Sequence, residues 1–325
     1  MAIALSETDV RQLVKMPALI DAMERALVAY SRGRVRQPLR TVLAVGDRAF
    51  FGSMPAFIED PPALGTKLLV FNPANAAQEL PTHQAAIALL DHVTGELLAL
   101  MDGRYITEAR TAAVSAVATR SLARKDASAL ALIGSGVQAH SHLQAIAEVR
   151  ELTSVRVWSP TPAHCRKFAI EHAHAVKAEV VVADTARDAV EPADIIVLAT
   201  SATTPVVRSE WVQRGAHVCA VGASRPDMRE MEGELVARSR LFVDARISAL
   251  AEAGDIVIPL REGRIDPDHI LGEIGEVVDG RVPGRLSDAD VTIFKSVGMA
   301  VEDVAAAALA FRRATEIGLG RGLIL

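Results

Sequence analysis

The stretch Ala129-Leu-Ala-Leu-Ile-Gly-Ser-Gly-Val-Gln-Ala139 changes character at Gly134. An apolar run from Ala129 to Ile133 stops there, Gly136 and Ala139 follow at the spacing G-x-G-x-x-A, and Leu143, Ile146 and Ala147 then repeat at helical intervals. The pattern predicts a strand, a glycine turn and a helix, which is what a dinucleotide site needs physically. Gly134 can take the tight turn, and Gly136 lets the backbone approach a pyrophosphate with no side chain in the way. A small residue at Ala139 permits close helix–strand packing, and free N–H groups at the helix start, around Val137 and Gln138, face the anion. The same string also suits an ordinary strand-to-helix turn. The flanking strand and amphipathic helix are what tilt it towards a nicotinamide or flavin nucleotide.

Downstream, strands and single helical segments alternate. Strands are expected at Val155–Trp158, Glu179–Ala183, Asp194–Thr200, His217–Val221 and Arg240–Val243, with a helix over Pro162–His174. This implies a parallel, doubly wound sheet of the Rossmann type within an α/β fold. Upstream, residues 6–30 read as a helix or pair of helices begun by Ser6. Short strand-like runs then follow: Thr41–Val45, Ala49–Gly52, Leu64–Phe71, Ala85–Asp91 and Glu96–Met101. Turn signals such as Asp60-Pro-Pro and Thr94-Gly separate them, so a mostly antiparallel sheet is expected. A helix from Thr107 to about Ala123 leads into the nucleotide strand, and a long Ala-rich helix is expected from Ser296 to about Thr315. The division predicted is an N-terminal α+β domain over residues 1–120, a Rossmann domain over 121–297, and residues 298–325 returning to the first.

Composition narrows the function classes. The chain has 325 residues, half of them hydrophobic, and a net charge of −5, so no global field draws it to nucleic acid or an acidic membrane. Its longest apolar stretch, near residues 85–100, is interrupted by Asp91, His92 and Glu96. Glu7 and Asp9 precede any long apolar run, so no signal peptide is expected. The only cysteines, Cys165 and Cys219, have no metal-ligand spacing and suit a reducing compartment. A cytoplasmic protein with neither nucleic-acid nor membrane partners is expected. The pairs His140/His142 and His172/His174 point apart on a helix, and no metal site is expected.

The residue ending the second Rossmann strand discriminates between cofactors. An acid there bonds the adenosine 2′-hydroxyl and repels a 2′-phosphate. Here the strand ends in Ser159-Pro-Thr161-Pro, with Ser159 falling 23 positions after Gly136. No carboxylate is present, so NADP(H) is favoured and NAD(H) is the alternative. Two later strand ends, Thr200-Ser201 and Val221-Gly222-Ala-Ser224, are small enough to close over the cofactor, leaving Ser224 towards the nicotinamide.

Three cations sit in settings where a charge is costly without an anion. Lys67 shares a strand face with Gly65, Leu69 and Phe71, Arg110 lies one turn into a helix, and Arg40 precedes a strand. Converging, they could bind a carboxylate, Arg supplying bidentate geometry. Alone, each would more ordinarily snorkel or pair with an internal acid. His83, in Leu80-Pro-Thr-His, either caps a loop or faces the cofactor.

Taken together, these strings resemble the ornithine cyclodeaminase/mu-crystallin family, and its mu-crystallin branch most closely. They are Leu80-Pro-Thr-His-Gln-Ala, Met101-Asp-Gly-x-x-Ile-Thr with Arg110-Thr-Ala-Ala-Val-Ser-Ala, Gly134-Ser-Gly-Val-Gln-Ala, Ala220-Val-Gly-Ala-Ser-Arg-Pro-Asp-Met-Arg-Glu230 and Phe294-Lys-Ser-Val-Gly-Met-Ala-Val-Glu-Asp303. The resemblance implies a homodimer joined through its N-terminal domains. It implies that Arg40, Lys67 and Arg110 hold a substrate carboxylate beside the nicotinamide. It also implies that Thr82, His83, Thr111, Thr200, Ser224, Lys295 and Ser296 surround the cofactor or the active cleft, with Arg110 reaching the cofactor too.

Two departures bear on the activity. In the cyclodeaminases an Asp matches Ser224, and a serine hydroxyl is too weak a base to replace it. A second family acid, for the ornithine side-chain amine, falls near Gly52 in Phe50-Phe-Gly-Ser-Met-Pro55. The branch sharing Gly-Ala-Ser-Arg-Pro is similar to ketimine reductases, although that branch often has Arg where Pro160 stands, which counts against NADP(H). The expected activity is NAD(P)H-dependent reduction of a cyclic imino acid, with Lys67 and Ser224 as catalytic candidates. The alternatives are ornithine cyclodeaminase, an alanine-type amino-acid dehydrogenase, and a non-catalytic protein that binds NADP(H) and a small ligand.

Overall fold

A computed structural model describes residues 2–46 and 49–324. The chain divides into two compact units, one of Met1–Arg110 with Met299–Leu325 and one of Thr111–Gly298.

The first unit opens with strand β1 (Ala2–Leu5), then helices α1 (Glu7–Leu13) and α2 (Met16–Ser31). The expected start at Ser6 is a full capping box: the Ser6 hydroxyl accepts from Asp9 N–H at 3.3 Å and the Asp9 carboxylate accepts from Ser6 N–H at 2.8 Å. Strands β2 (Val35–Arg36), β3 (Thr41–Gly46), β4 (Ala49–Glu59), β5 (Pro62–Phe71), β6 (His83–Leu90) and β7 (Leu97–Asp102) follow. Helix α3 (Arg104–Leu122) then runs on into the second unit.

Strand β4 continues well past Gly52, where the sequence pattern placed its end. Pro55 does not stop it because β3 pairs with β4 only as far as Ser53 and β2 only from Phe57, so the proline nitrogen falls in the gap between them. On its other side β4 is paired along its length to β5.

The second unit alternates as expected. Its elements are β8 (Ala129–Ile133), α4 (Val137–Ala147), β9 (Ser154–Trp158), α5 (Pro162–His172), β10 (Glu179–Val182), α6 (Ala186–Val190), β11 (Ile195–Leu198) and β12 (His217–Ala220). They continue with α7 (Gly233–Ala237), β13 (Arg240–Val243), α8 (Arg246–Glu252), α9 (Gly254–Arg261), β14 (Ile270–Glu273), α10 (Ile274–Val278) and β15 (Thr292–Lys295). All are joined in one parallel sheet of order β10-β9-β8-β11-β12-β15-β13-β14. Strand order reverses between β8 and β11, the switch point at which open α/β sheets bind ligands. Apolar side chains fill both faces; β11 and β12 are buried throughout, as parallel strands covered on both sides must be.

The chain closes with α11 (Ala300–Ile317) and β16 (Arg321–Leu323) in the first unit. Its sheet runs β16-β1-β7-β6-β5-β4-β2, with β3 also on β4, and is antiparallel except for β1 beside β7. Helix α11 packs on β4, β5, β6 and α2, covering one face of this sheet. It begins at Ala300 rather than Ser296, because Gly298 (φ +83°) breaks the backbone and Ser296–Gly298 wrap the Asp244 carboxylate instead. No helix among the described residues is long and apolar enough to cross a membrane.

Candidate active site

In the second unit the glycine turn is fixed by close approach. Gly134 has φ +118°, and a Cβ there would lie 2.4 Å from the Ala199 carbonyl oxygen, so no other residue fits. Its N–H donates to Trp158 O at 2.8 Å, tying the turn to the end of β9. Gly136 caps α4 without a side chain, and a Cβ there would meet nothing within 4 Å. Val137 is 52% exposed while Ala139 is packed into the core beside Leu143. A helix start with no side-chain cap, reached through a turn only glycine can make, fits a dinucleotide pyrophosphate. Gln138 is half-buried and its backbone carbonyl accepts from the His142 ring at 2.7 Å.

At the end of β9, the Ser159 hydroxyl is buried and lies 2.8 Å from the Ser135 hydroxyl and 3.1 Å from Cys165 Sγ. Thr161 precedes α5 with its hydroxyl unused as a cap, and it is exposed together with Arg166. Among the described residues, the contacts of the Ser159 hydroxyl are Ser135, Cys165 and the Thr161 carbonyl, none of them a carboxylate.

The ends of β11 and β12 are held by a side chain that the sequence reading passed over. Glu230 is fully buried; its Oε1 accepts from Thr200 N–H (2.6 Å) and Thr200 Oγ1 (2.8 Å), its Oε2 from Gly222 N–H (2.7 Å) and Ala223 N–H (3.2 Å). The Glu230 N–H donates to Asp255 Oδ1 at 2.8 Å, and Asp255 Oδ2 lies 3.1 Å from Lys295 Nζ, with no exposed surface on either ion. Burial pushes Glu230 up to about 7, and the Asp255 charge adds to this, while Lys295 opposes it. Thus Lys295 is fully buried against Asp255, and the hydroxyl of Ser296, 2% exposed, donates to Asp244 at 2.9 Å. The Thr200 hydroxyl is likewise committed to Glu230 and to Ala202 N–H at 3.2 Å. Of the expected residues along these strand ends, Ser201 and Ser224 are exposed and Val221 and Gly222 partly so.

In the first unit, Lys67 is fully buried on the face of β5 that α11 covers. Its Nζ lies 2.7 Å from Asp303 Oδ2 and donates to Thr107 Oγ1 at 3.3 Å. Arg110, 4% exposed, donates from Nε to Asp303 Oδ1 at 3.0 Å and from a terminal nitrogen to Glu302 Oε2 at 2.6 Å. Both acids lie in the first turn of α11, whose N-terminus favours negative charge. The internal pairing that each cation would ordinarily find therefore exists, and sequence spacing could not show it; the one hint is two adjacent acids, Glu302-Asp303, inside an apolar helix.

Arg40, half-buried, is close enough to act on Lys67, so three cations, Arg40, Lys67 and Arg110, gather in this unit beside Glu302 and Asp303. Burial lowers the Lys67 amine to about 8; the Arg110 and Arg40 charges push the same way and Asp303 resists. For Asp303, burial alone would raise the carboxyl, but Arg110 and Lys67 hold it below the usual range. His83 begins β6 on the same sheet face as Lys67, and burial, with Lys67 and Arg110 behind it, lowers the ring to about 4, so it is neutral. Thr82 and Thr111 are partly buried. Gly52 pairs with Leu69 on the Lys67 face, and a Cβ there would meet Leu69 at 3.2 Å, so a longer acid at this position would have to displace Leu69.

Elsewhere, His140 and His172 meet across α4 and α5 at 2.5 Å, too close for an ion between them. No group of three or more His, Cys, Asp or Glu suited to a metal occurs among the described residues.

The chain is similar to known proteins along its full length. It is 43% identical to the ketimine reductase mu-crystallin of Rattus norvegicus, over 90% of this chain and 91% of that one. It superposes on the Delta(1)-pyrroline-2-carboxylate reductase of Thermococcus litoralis, solved with NADH and L-proline, with a TM-score of 0.96 and 41% identity, covering 99% and 100% of the two chains. An archaeal alanine dehydrogenase dimer with bound NAD matches with a TM-score of 0.95 and 30% identity, covering 100% and 99%. Residues 2–317 match the family model itself, and the chain belongs to the ornithine cyclodeaminase/mu-crystallin family.

Proposed function

We propose that this protein reduces a cyclic imino acid, of the pyrroline- or piperideine-2-carboxylate class, to the cyclic amino acid with NAD(P)H. The observation that carries the reading is the convergence of buried Lys67 and Arg110 with half-buried Arg40 beside Lys67, in a chain that also holds a dinucleotide cradle. Clustered cations of this kind suit a small carboxylate, Arg supplying bidentate geometry. The reductases among its relatives support the same chemistry.

The cofactor, when bound, supplies a hydride to the imine carbon. Arg40 and Arg110 hold the substrate carboxylate, Arg110 being already oriented by its two acids. Lys67, protonated below about pH 8, adds charge and holds a proton at Nζ for the nascent amine. His83, neutral, adds no competing charge. Ser224 leaves the site without the acid that deamination of ornithine requires.

NADP(H) is the cofactor proposed over NAD(H), because Ser159 and the exposed Thr161 and Arg166 offer hydroxyls and a cation where an acid would repel a 2′-phosphate. Leu43, Leu68, Val70 and Leu100 lie 60%, 42%, 38% and 42% exposed on the sheet face opposite Lys67. An apolar sheet face of this kind suits a second copy of the chain, and the homodimer is proposed through it. Two free, buried cysteines suit the cytoplasm.

The test is NAD(P)H oxidation with pyrroline-2-carboxylate, with pyruvate plus ammonia, and with neither. Turnover of the imine is expected. Turnover of pyruvate plus ammonia alone would make the protein an amino-acid dehydrogenase, and no turnover of either, with cofactor still bound, would make it a binding protein.

A further inference from the structure

Two loops end the central strands of the Rossmann sheet, and one carboxylate grips both. Thr200 lies just beyond β11 and Gly222 just beyond β12; each oxygen of Glu230 takes its donors from one of these loops. The grip is close. A Cβ at Gly222 would lie 2.1 Å from Thr200 O and 2.4 Å from Glu230 Oε1, so the loops are drawn together as far as a glycine allows. Nothing in the substrate clamp of the first unit uses Glu230.

We propose that Glu230 is the positioning residue of the cofactor crevice, fixing the loops after β11 and β12 in the arrangement that receives the nicotinamide half of the dinucleotide. The proposal rests on the reading of the second unit as a nicotinamide-nucleotide site. By the rule for open sheets, these two strand ends border the crevice. Glu230 touches neither cofactor nor substrate in this scheme; it acts through Thr200, Gly222 and Ala223.

Only an ionised carboxylate can do this. It accepts on both oxygens, and here both are needed, since each faces a backbone N–H that cannot turn away. A glutamine of the same shape would aim its NH2 at one of those N–H groups, as would a protonated glutamic acid its O–H. The charged groups facing Glu230 are Asp255 on α9 and Lys295 on β15. Burial and Asp255 bring its ionisation near neutrality, to about 7. The carboxylate, and with it the loop arrangement, is therefore present above that pH and is lost as pH falls through it.

NADH binding to the whole protein, followed by fluorescence at pH 6 and pH 8, tests this, with cofactor-free melting measured alongside. Wild-type protein should bind several-fold more tightly at pH 8. Glu230→Gln should weaken binding at pH 8 by about tenfold or more and abolish the pH dependence, losing two bonds to a charged group. Amides of Gly222 and Ala223 should exchange faster in that variant while those of β12 do not. Asp255→Asn keeps the idea testable should Glu230→Gln not fold: removing the like charge strengthens the acid, so the midpoint of the binding profile should move to lower pH. Native affinity in Glu230→Gln, or a midpoint unmoved by Asp255→Asn, would overturn the proposal. Wild-type protein that binds neither NADH nor NADPH would overturn the cofactor reading instead.

Discussion

Lys67 and Asp303 form an ion pair of 2.7 Å in which neither side chain has any exposed surface. Asp303 also takes Arg110, so a single carboxylate orients two of the three cations of the proposed clamp. Removing the lysine leaves Asp303 with Arg110 as a remaining partner, so the cost stays below the roughly 3–5 kcal/mol of a buried charge left wholly unpaired. Lys67→Met is therefore expected to lower the melting temperature and to cut kcat/KM by roughly a hundredfold or more. Near-native kinetics for that variant would show the lysine to be structural.

The Lys67 amine, lowered to about 8 by burial, gives the reaction an alkaline limb. The ammonium is present below that pH and is lost above it, taking with it both its positive charge and the proton. kcat/KM for imine reduction should fall as pH rises through about 8. In Lys67→Arg, whose guanidinium does not titrate there, the enzyme's share of that fall should vanish, and rate profiles of the two proteins side by side measure it.

Ser159 is bonded to Ser135 of the glycine turn, at the strand end proposed to read the 2′-substituent. NADPH should bind at least as tightly as NADH by fluorescence titration, and a tenfold preference for NADH would refute this. Ser159→Asp should shift preference towards NADH by on the order of 1–3 kcal/mol, the carboxylate repelling the phosphate.

Ser224 separates imine reduction from cyclodeamination. The native protein should release no ammonia from ornithine with NAD+, and its doing so would sink the reductase assignment. Ser224→Ala should keep a sizeable share of reductase activity. Ser224→Asp should depress it, since an anion brought within 4 Å of a substrate carboxylate costs about 4 kcal/mol at an effective dielectric of 20. A dead Ser224→Ala would identify the hydroxyl as the proton relay.

The sequence made the second unit readable because its signals are local. Gly134 declares its turn, and the run before it and the helix after it declare their periods. It hid what depends on distant partners. Strands β1 and β16, of four and three residues, are too short to show alternation and become strands by pairing, Ala2 with Leu323 and β1 also with β7. Lys67 could be seen to need an anion, but not that Asp303 would supply one from the other end of the chain. Glu230 ends the string Ala220-Val-Gly-Ala-Ser-Arg-Pro-Asp-Met-Arg-Glu230 with nothing to distinguish it from a surface acid. What marks it out is four donors from two loops, and that is a property of the sheet. Lys295 and Ser296 were placed around the cofactor by resemblance, whereas their polar atoms are engaged by Asp255 and Asp244.

The first unit is assembled from both ends of the chain, and this sets an order of events during synthesis. Arg110 is separated from Asp303 by 193 residues, and the whole of the second unit is made between them. Until α11 leaves the ribosome, Lys67 and Arg110 lack Glu302 and Asp303, and burying them without these acids would be costly. Strand β5 and the start of α3, which carry them, must stay open and hydrated while the Rossmann unit, contiguous in sequence, closes on its own. The proposed clamp is therefore the last part of the molecule to form. A ribosome stalled before Glu302 would hold a chain whose Rossmann unit is complete and whose clamp is not.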